Sequence, residues 1–179
     1  RARNYGLRYL EVSHPGFGAA LRQNPKKVVQ RATKADVASL YWTSASWGSA
    51  IALSKDNPEL VADVPLVEAM IDRALALDES HDRGAIHSFF ISSEMSRAGG
   101  SGDPALRSRK HFERAWELSR GQEAAPLVAL AEAVTVQNTL DTLGIHAVIR
   151  KFTHWEITTQ KQENTETQKH IIDSGELYN

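Results

Sequence analysis

Residues 41–92, YWTSASWGSAIALSKDNPELVADVPLVEAMIDRALALDESHDRGAIHSFFIS, decide the fold. Tyr41, Ser44, Trp47, Gly48 and Ile51 continue a series begun by Val37 and Leu40 at intervals of three and four, so one helix over 34–54 presents a single stripe to a core. Ser44 and Gly48 are small and let a neighbouring helix come close. Asp63 with Pro65 just inside starts a second helix, whose apolar face is Val67, Ile71, Ala74 and Leu75. Asp82 is placed to cap a third helix, over 83–95, carrying Ile86, Phe89, Phe90 and Ser93. The second helix also repeats. Ile71, Arg73, Ala74, Leu75 and Leu77 return 41 residues later as Phe112, Arg114, Ala115, Trp116 and Leu118, and Val29, Arg31 and Ala32 precede them by 42. A period of this size marks stacked helix pairs, each of which needs its neighbour to bury an apolar face.

Working outward, Tyr5, Tyr9 and Val12 hold helical spacing until His14-Pro15-Gly16 stops them, and Phe17 with Leu21, then Val28 with Val29 after Pro25, give two short helices. Thr33-Lys34-Ala35-Asp36 resembles a capping box that opens the long helix. Ala98-Gly99-Gly100-Ser101-Gly102 is a loop, since so many glycines cost too much backbone entropy inside a helix. Asp103-Pro104 restarts helix, with Phe112, Ala115 and Trp116 expected inward, and Pro126 opens another holding Leu127, Leu130, Ala131 and Val134. No strand is predicted up to Val136. Beyond it the chain becomes rich in Thr, Gln and Asn, and Gln160–Lys169 (QKQENTETQK) has no apolar residue. Such a composition buries too little surface to offset ordering entropy. The expectation is an all-α, tetratricopeptide-like antiparallel helical repeat over 1–136, followed by an irregular or disordered tail over 137–179.

Composition narrows the function. With 21 basic and 22 acidic residues the net charge is −1, which supplies no field to draw nucleic acid. No apolar run approaches the roughly 20 residues of a membrane span. The chain has no cysteine, so thiol catalysis, thiolate metal sites and disulfides are excluded. His81 and His87 stand six apart without an HExxH or paired-carboxylate pattern, and no metal site is expected. No G-x-S-x-G elbow appears, and Gly99–Gly102 lacks the Lys-Ser/Thr of a phosphate-binding loop. Neither an enzyme nor a cofactor is therefore expected.

Binding chemistry remains. Tyr41, Trp42 and Trp47 combine large contact area with polar tips, and Trp42 falls off the apolar stripe whereas Trp47 lies on it, where a core role competes. His87, Ile91 and Glu94 lie at i, i+4 and i+7 on one helix face, with His87 and Glu94 too distant to bond each other. The candidate site is a cleft between the 34–54 and 83–95 helices, lined by Tyr41, Trp42, Trp47, His87, Phe90 and Glu94. Arg107, Arg109, Lys110 and Arg114 alternate with Glu113 and Glu117, as on a solvated helix face.

Particular residues carry a resemblance: Ala2-Arg3-Asn4-Tyr5-Gly6-Leu7-Arg8, His14-Pro15-Gly16-Phe17, Tyr41-Trp42-Thr43, Trp47-Gly48-Ser49-Ala50-Ile51, Asp63-Val64-Pro65, Asp82-Arg83-Gly84-Ala85-Ile86-His87 and Val128-Ala129-Leu130-Ala131-Glu132. Over residues 1–136 the chain resembles the T component (TatT) of TRAP transporters. The resemblance implies a helical, tetratricopeptide-like periplasmic lipoprotein, anchored through an upstream cysteine and trimeric. It further implies a scaffold that docks the transporter's substrate-binding protein and accepts a hydrophobic ligand. The closing repeat, acidic-proline turn and Arg-rich, Trp-bearing helix of that family do not appear after Val136. The alternatives are a general tetratricopeptide adaptor for peptide tails and a hydrolase.

Overall fold

A computed structural model describes residues 1–97, 100–135, 147–151 and 155–159. The chain divides into two compact units, Arg1–Ala129 and Leu130–Asn179.

Among its described residues, every element of the first unit is an α-helix or a 3-10 turn. α1 (Ala2–Ser13) ends at His14, α2 (Phe17–Gln23) follows the left-handed Gly16, and α3 (Pro25–Val28) runs into a 3-10 turn at Val29–Arg31. The His14-Pro15-Gly16-Phe17 motif is held from both sides. Glu11 accepts hydrogen bonds from the Gly16 and Gly18 amides at 2.6 and 2.8 Å, and His14 Nε2 lies 3.0 Å from Asp36 Oδ2. Asp36 is also the acidic member of the expected capping box, accepting from Thr33 N and Thr33 Oγ1 at 2.8 and 2.9 Å. That box starts the 3-10 turn Lys34–Asp36 and, directly after it, α4 (Val37–Leu53).

α4 is central because it packs on α1 and on α6 (Val64–Leu77), with α5 (Pro58–Val61) in the connection. Both sides must therefore be small or apolar. Leu40, Thr43, Ser44, Trp47 and Ile51 are buried, and Thr43 faces Gly6 of α1 so closely that a Cβ on Gly6 would stand 1.9 Å from its Oγ1. α7 (Ala85–Ser93) and α8 (Pro104–Ser119) form the next packed pair, followed by α9 (Ala125–Leu130) and a π-helical turn (Ala131–Thr135).

The repeat is visible in packing. Its alanines, Ala32, Ala74 and Ala115, are all buried. Its arginines each reach back to earlier backbone or side chains. Arg31 Nη2 donates to Pro15 O at 2.9 Å, and Arg73 Nη2 donates to Ala32 O at 2.8 Å and Gln30 O at 3.3 Å. Arg114 donates to the Glu79 carboxylate, with Nε at 3.1 Å.

Two local expectations are corrected. Asp82 does not cap α7: Asp82 and Arg83 take φ of 44° and 55° in the 3-10 turn His81–Gly84, and Gly84, at φ 92°, becomes the N-cap residue. Gly84 is required there, because a Cβ would meet Ala115 Cα at 3.1 Å. Phe112 and Trp116 do not point into the core. They stack on each other at 6.1 Å, leaving Trp116 40% exposed. In the second unit β1 (Ala147–Lys151) and β2 (Trp155–Thr159) pair antiparallel, from Ala147 opposite Thr159 to Lys151 opposite Trp155. Val148, Ile149, Ile157, Thr158 and Thr159 are β-branched, and such residues favour pleated pairing. The remainder of the tail expectation, Gln160–Lys169 included, lies outside the described residues.

Candidate functional site

Trp47 lies in the core, and the other five candidate residues fall into three places. Trp47 is core, 1% exposed, with the Arg3 guanidinium 4.8 Å above its ring. The expected cleft role for it is corrected, because its position on the α4 stripe turns it toward α1. Trp42 is the opposite case, 60% exposed on the solvent side of the same helix. It is not loose. Tyr41 meets it edge-on at 5.1 Å and meets His81 at 5.6 Å, so the aromatic surface is braced against the linker between α6 and α7. Burial, then the nearby Asp82 carboxylate, raise the Tyr41 phenol above its ordinary pKa and keep it a neutral hydrogen-bonding group. Two non-glycine residues with positive φ in succession, Asp82 and Arg83, fix the shape of that linker at an energetic cost. Arg83 is tied down through a 2.5 Å ion pair with Glu123.

His87 and Phe90 belong to a second cluster, between α7 and α8. His87 Nδ1 lies 2.8 Å from His111 Nδ1, and His87 Nε2 lies 3.3 Å from Glu79 Oε2. His111 stacks on the buried Phe90 ring with centroids 4.7 Å apart. Phe90 is thus a core side chain rather than a cleft wall, a correction to the sequence reading, and it supports an imidazole. Burial lowers the pKa of both rings, that of His111 to about 4. The hydrogen bonds from Arg114 hold the Glu79 carboxyl below its ordinary value. Beside this cluster a depression of about 460 Å³ is lined by Leu75, Ala76, Leu77, Asp78, Glu79 and His87.

Glu94 is the third place. Only 6% exposed, it accepts from Arg107 Nε at 2.5 Å and from Arg97 Nη1 at 3.4 Å. Arg107 continues to the carbonyls of Ser101 and Gly102, pinning the glycine-rich loop, and Arg97 reaches both oxygens of Asp72. This network explains why a carboxylate is tolerated inside. It also corrects the reading of the basic cluster as a solvated face: Arg109 pairs with Glu113 on the surface of α8, but Arg107 and Arg114 reach other elements. Sequence reasoning missed His81, Glu79 and His111. Only Arg114, as the repeat arginine, carried a signal toward them.

Among the described residues no group of three His, Asp or Glu side chains is placed to hold a metal, and no helix is long and apolar enough to cross a membrane. A protein of Treponema pallidum (strain Nichols), described as uncharacterized, is 30% identical over 121 residues, which make up 64% of this chain and 38% of that protein. The chain therefore spans well under half the length of that relative. The model of the TRAP transporter T-component family matches residues 1–164, beyond Val136 where the residue-by-residue resemblance ends, and the chain belongs to that family.

Proposed function

We propose that this protein is a periplasmic docking scaffold of a TRAP transporter, lipid-anchored in its full-length form, and that the Trp42–Tyr41–His81 surface receives the transporter's substrate-binding protein. The observation that carries this reading is Trp42, a large aromatic left 60% exposed on a helix whose other tryptophan is fully enclosed. An exposed tryptophan held by an edge-on tyrosine loses little side-chain freedom on binding, the property of residues that dominate protein interfaces. The reading needs no catalytic group and supports a non-enzymatic role. Trp42→Ala should weaken binding to the purified substrate-binding protein of the same transporter at least about tenfold in calorimetry, while the melting temperature stays unchanged. Trp116→Ala, at a second exposed tryptophan among the described residues, should leave affinity unchanged. Equal affinities for wild type and Trp42→Ala would overturn the assignment.

A further inference from the structure

His87 and His111 come from different helices, yet the same nitrogen of each ring faces the other at 2.8 Å. A contact of that length requires one nitrogen to donate and the other to accept. The outer partners decide which. Glu79, ionised by its hydrogen bonds from Arg114, offers only acceptor oxygens to His87 Nε2 at 3.3 Å. His87 Nε2 therefore carries a proton. When His87 is neutral its Nδ1 is bare, so His111 Nδ1 must be the donor and His111 Nε2 the unprotonated site. The two rings thus hold opposite tautomers, an order imposed by Glu79 and Arg114.

We propose that His87 and His111 form a two-step proton clasp between α7 and α8, which accepts one proton while closed and is opened by a second. In the first step a proton binds His111 Nε2 and the His111 Nδ1 proton crosses to His87 Nδ1. The donor and acceptor exchange roles, the hydrogen bond persists, and the positive charge rests on His87 beside the Glu79 carboxylate. In the second step a proton returns to His111 Nδ1. Both facing nitrogens then carry hydrogen, and two imidazolium rings repel across the contact.

Every charged neighbour bears on this order. Glu79 favours charge on His87, while Arg114 opposes it. On the far side His111 feels Arg97, which opposes a second charge, and Glu94 and Asp72, which favour it. Burial against Phe90 works against charging His111, in agreement with a pKa lowered to about 4. Ser108 Oγ donating to Ile91 O at 2.7 Å also ties the two helices, and Arg107 pairs with Glu94 just beyond the end of α7. On this proposal the facing imidazoles are the acid-sensitive contact of this helix pair.

The test is imidazole nitrogen NMR across a pH series on the intact chain, with amide exchange recorded alongside. Near pH 7.5, His87 should be the Nε2–H tautomer and His111 the Nδ1–H tautomer. As the first proton binds, His111 should convert to Nε2–H while protection of residues 85–93 and 104–119 is retained. Below pH 4 both rings should be charged, and protection of 85–93 should fall about tenfold or more. His111→Phe keeps the stack on Phe90 but removes the partner nitrogen. In it His87 should titrate in a single step, and the acid loss of protection should vanish. The same tautomer in both wild-type rings near neutral pH, or independent single-step titrations, would overturn the clasp whether or not the variant folds. So would a wild-type pH dependence preserved in a folded His111→Phe.

Discussion

At Gly6 the seat of α1 on α4 depends on a side chain that is not there. Thr43 Oγ1 and Cβ would lie 1.9 and 3.1 Å from any Cβ on Gly6, and the two helices would have to part. Gly6→Ala gains helix propensity yet should destabilise by about 1–3 kcal/mol, because overpacking a close contact outweighs the few tenths to one gained. Thr43 Oγ1 is buried and has no hydrogen-bond partner among the described residues, so adding Thr43→Ala to Gly6→Ala should recover most of the loss. Urea titrations of the four chains give the coupling, and additive single effects would contradict this account. Trp42 and Trp47 teach the same lesson about position. Five residues apart, they are separated by about 140° around the helix, and one is exposed while the other is enclosed.

Among elements, the repeat arginines set the spacing. Arg73 joins α6 to the 3-10 turn Val29–Arg31 by donating to two backbone carbonyls and to Gln30 Oε1. Arg73→Ala should therefore cost roughly 1.5–3 kcal/mol, the range of hydrogen bonds from charged groups, and raise amide exchange over residues 25–32. Arg109→Ala, which removes an exposed pair on α8, should change stability by under about 0.5 kcal/mol. Chemical denaturation with exchange mass spectrometry distinguishes the two. Periodicity and caps made the helices legible: Thr33 and Asp36 form the box their spacing implies, and Ala74 and Ala115 are buried as the repeat requires. The 78–84 linker was not legible. Asp82 has the chemistry of a cap, but the short path between α6 and α7 turns it left-handed, a choice made by tertiary geometry. Likewise His111 stands 24 residues from His87, and their meeting depends on how α7 and α8 are set against each other, which no local pattern encodes.

For the molecule as a whole, acid should act in two windows. Burial lowers the pKa of His87 and His111, so the unfolded chain binds their protons first. Stability from these rings is fully present above the ordinary imidazole value near 6.5 and is lost as pH falls toward about 4. The carboxylates work lower down. Glu79 is held low by Arg114, and Asp36 is held low by Thr33 and His14 although burial pushes it up. Their stabilisation is present above the unfolded value near 4 and disappears as pH drops through the depressed folded values. Between pH 7 and 4.5 the wild type should lose on the order of 2 kcal/mol in urea denaturation, and His111→Phe distinctly less. Identical slopes would place the acid sensitivity elsewhere.

The reach-back of Arg31, Arg73 and Arg114 also has a mechanical meaning. Each guanidinium is a cross-tie along the chain, fastening a helix to residues 16 to 43 positions earlier. Under a pulling force such ties load in series with the repeat. The chain enclosed by a tie runs from 16 residues at Arg31 to 41 at Arg73, so a rupture would release on the order of 50 to 140 Å of extended chain. A protein fastened in this way resists tension as a set of latches rather than as a single knot.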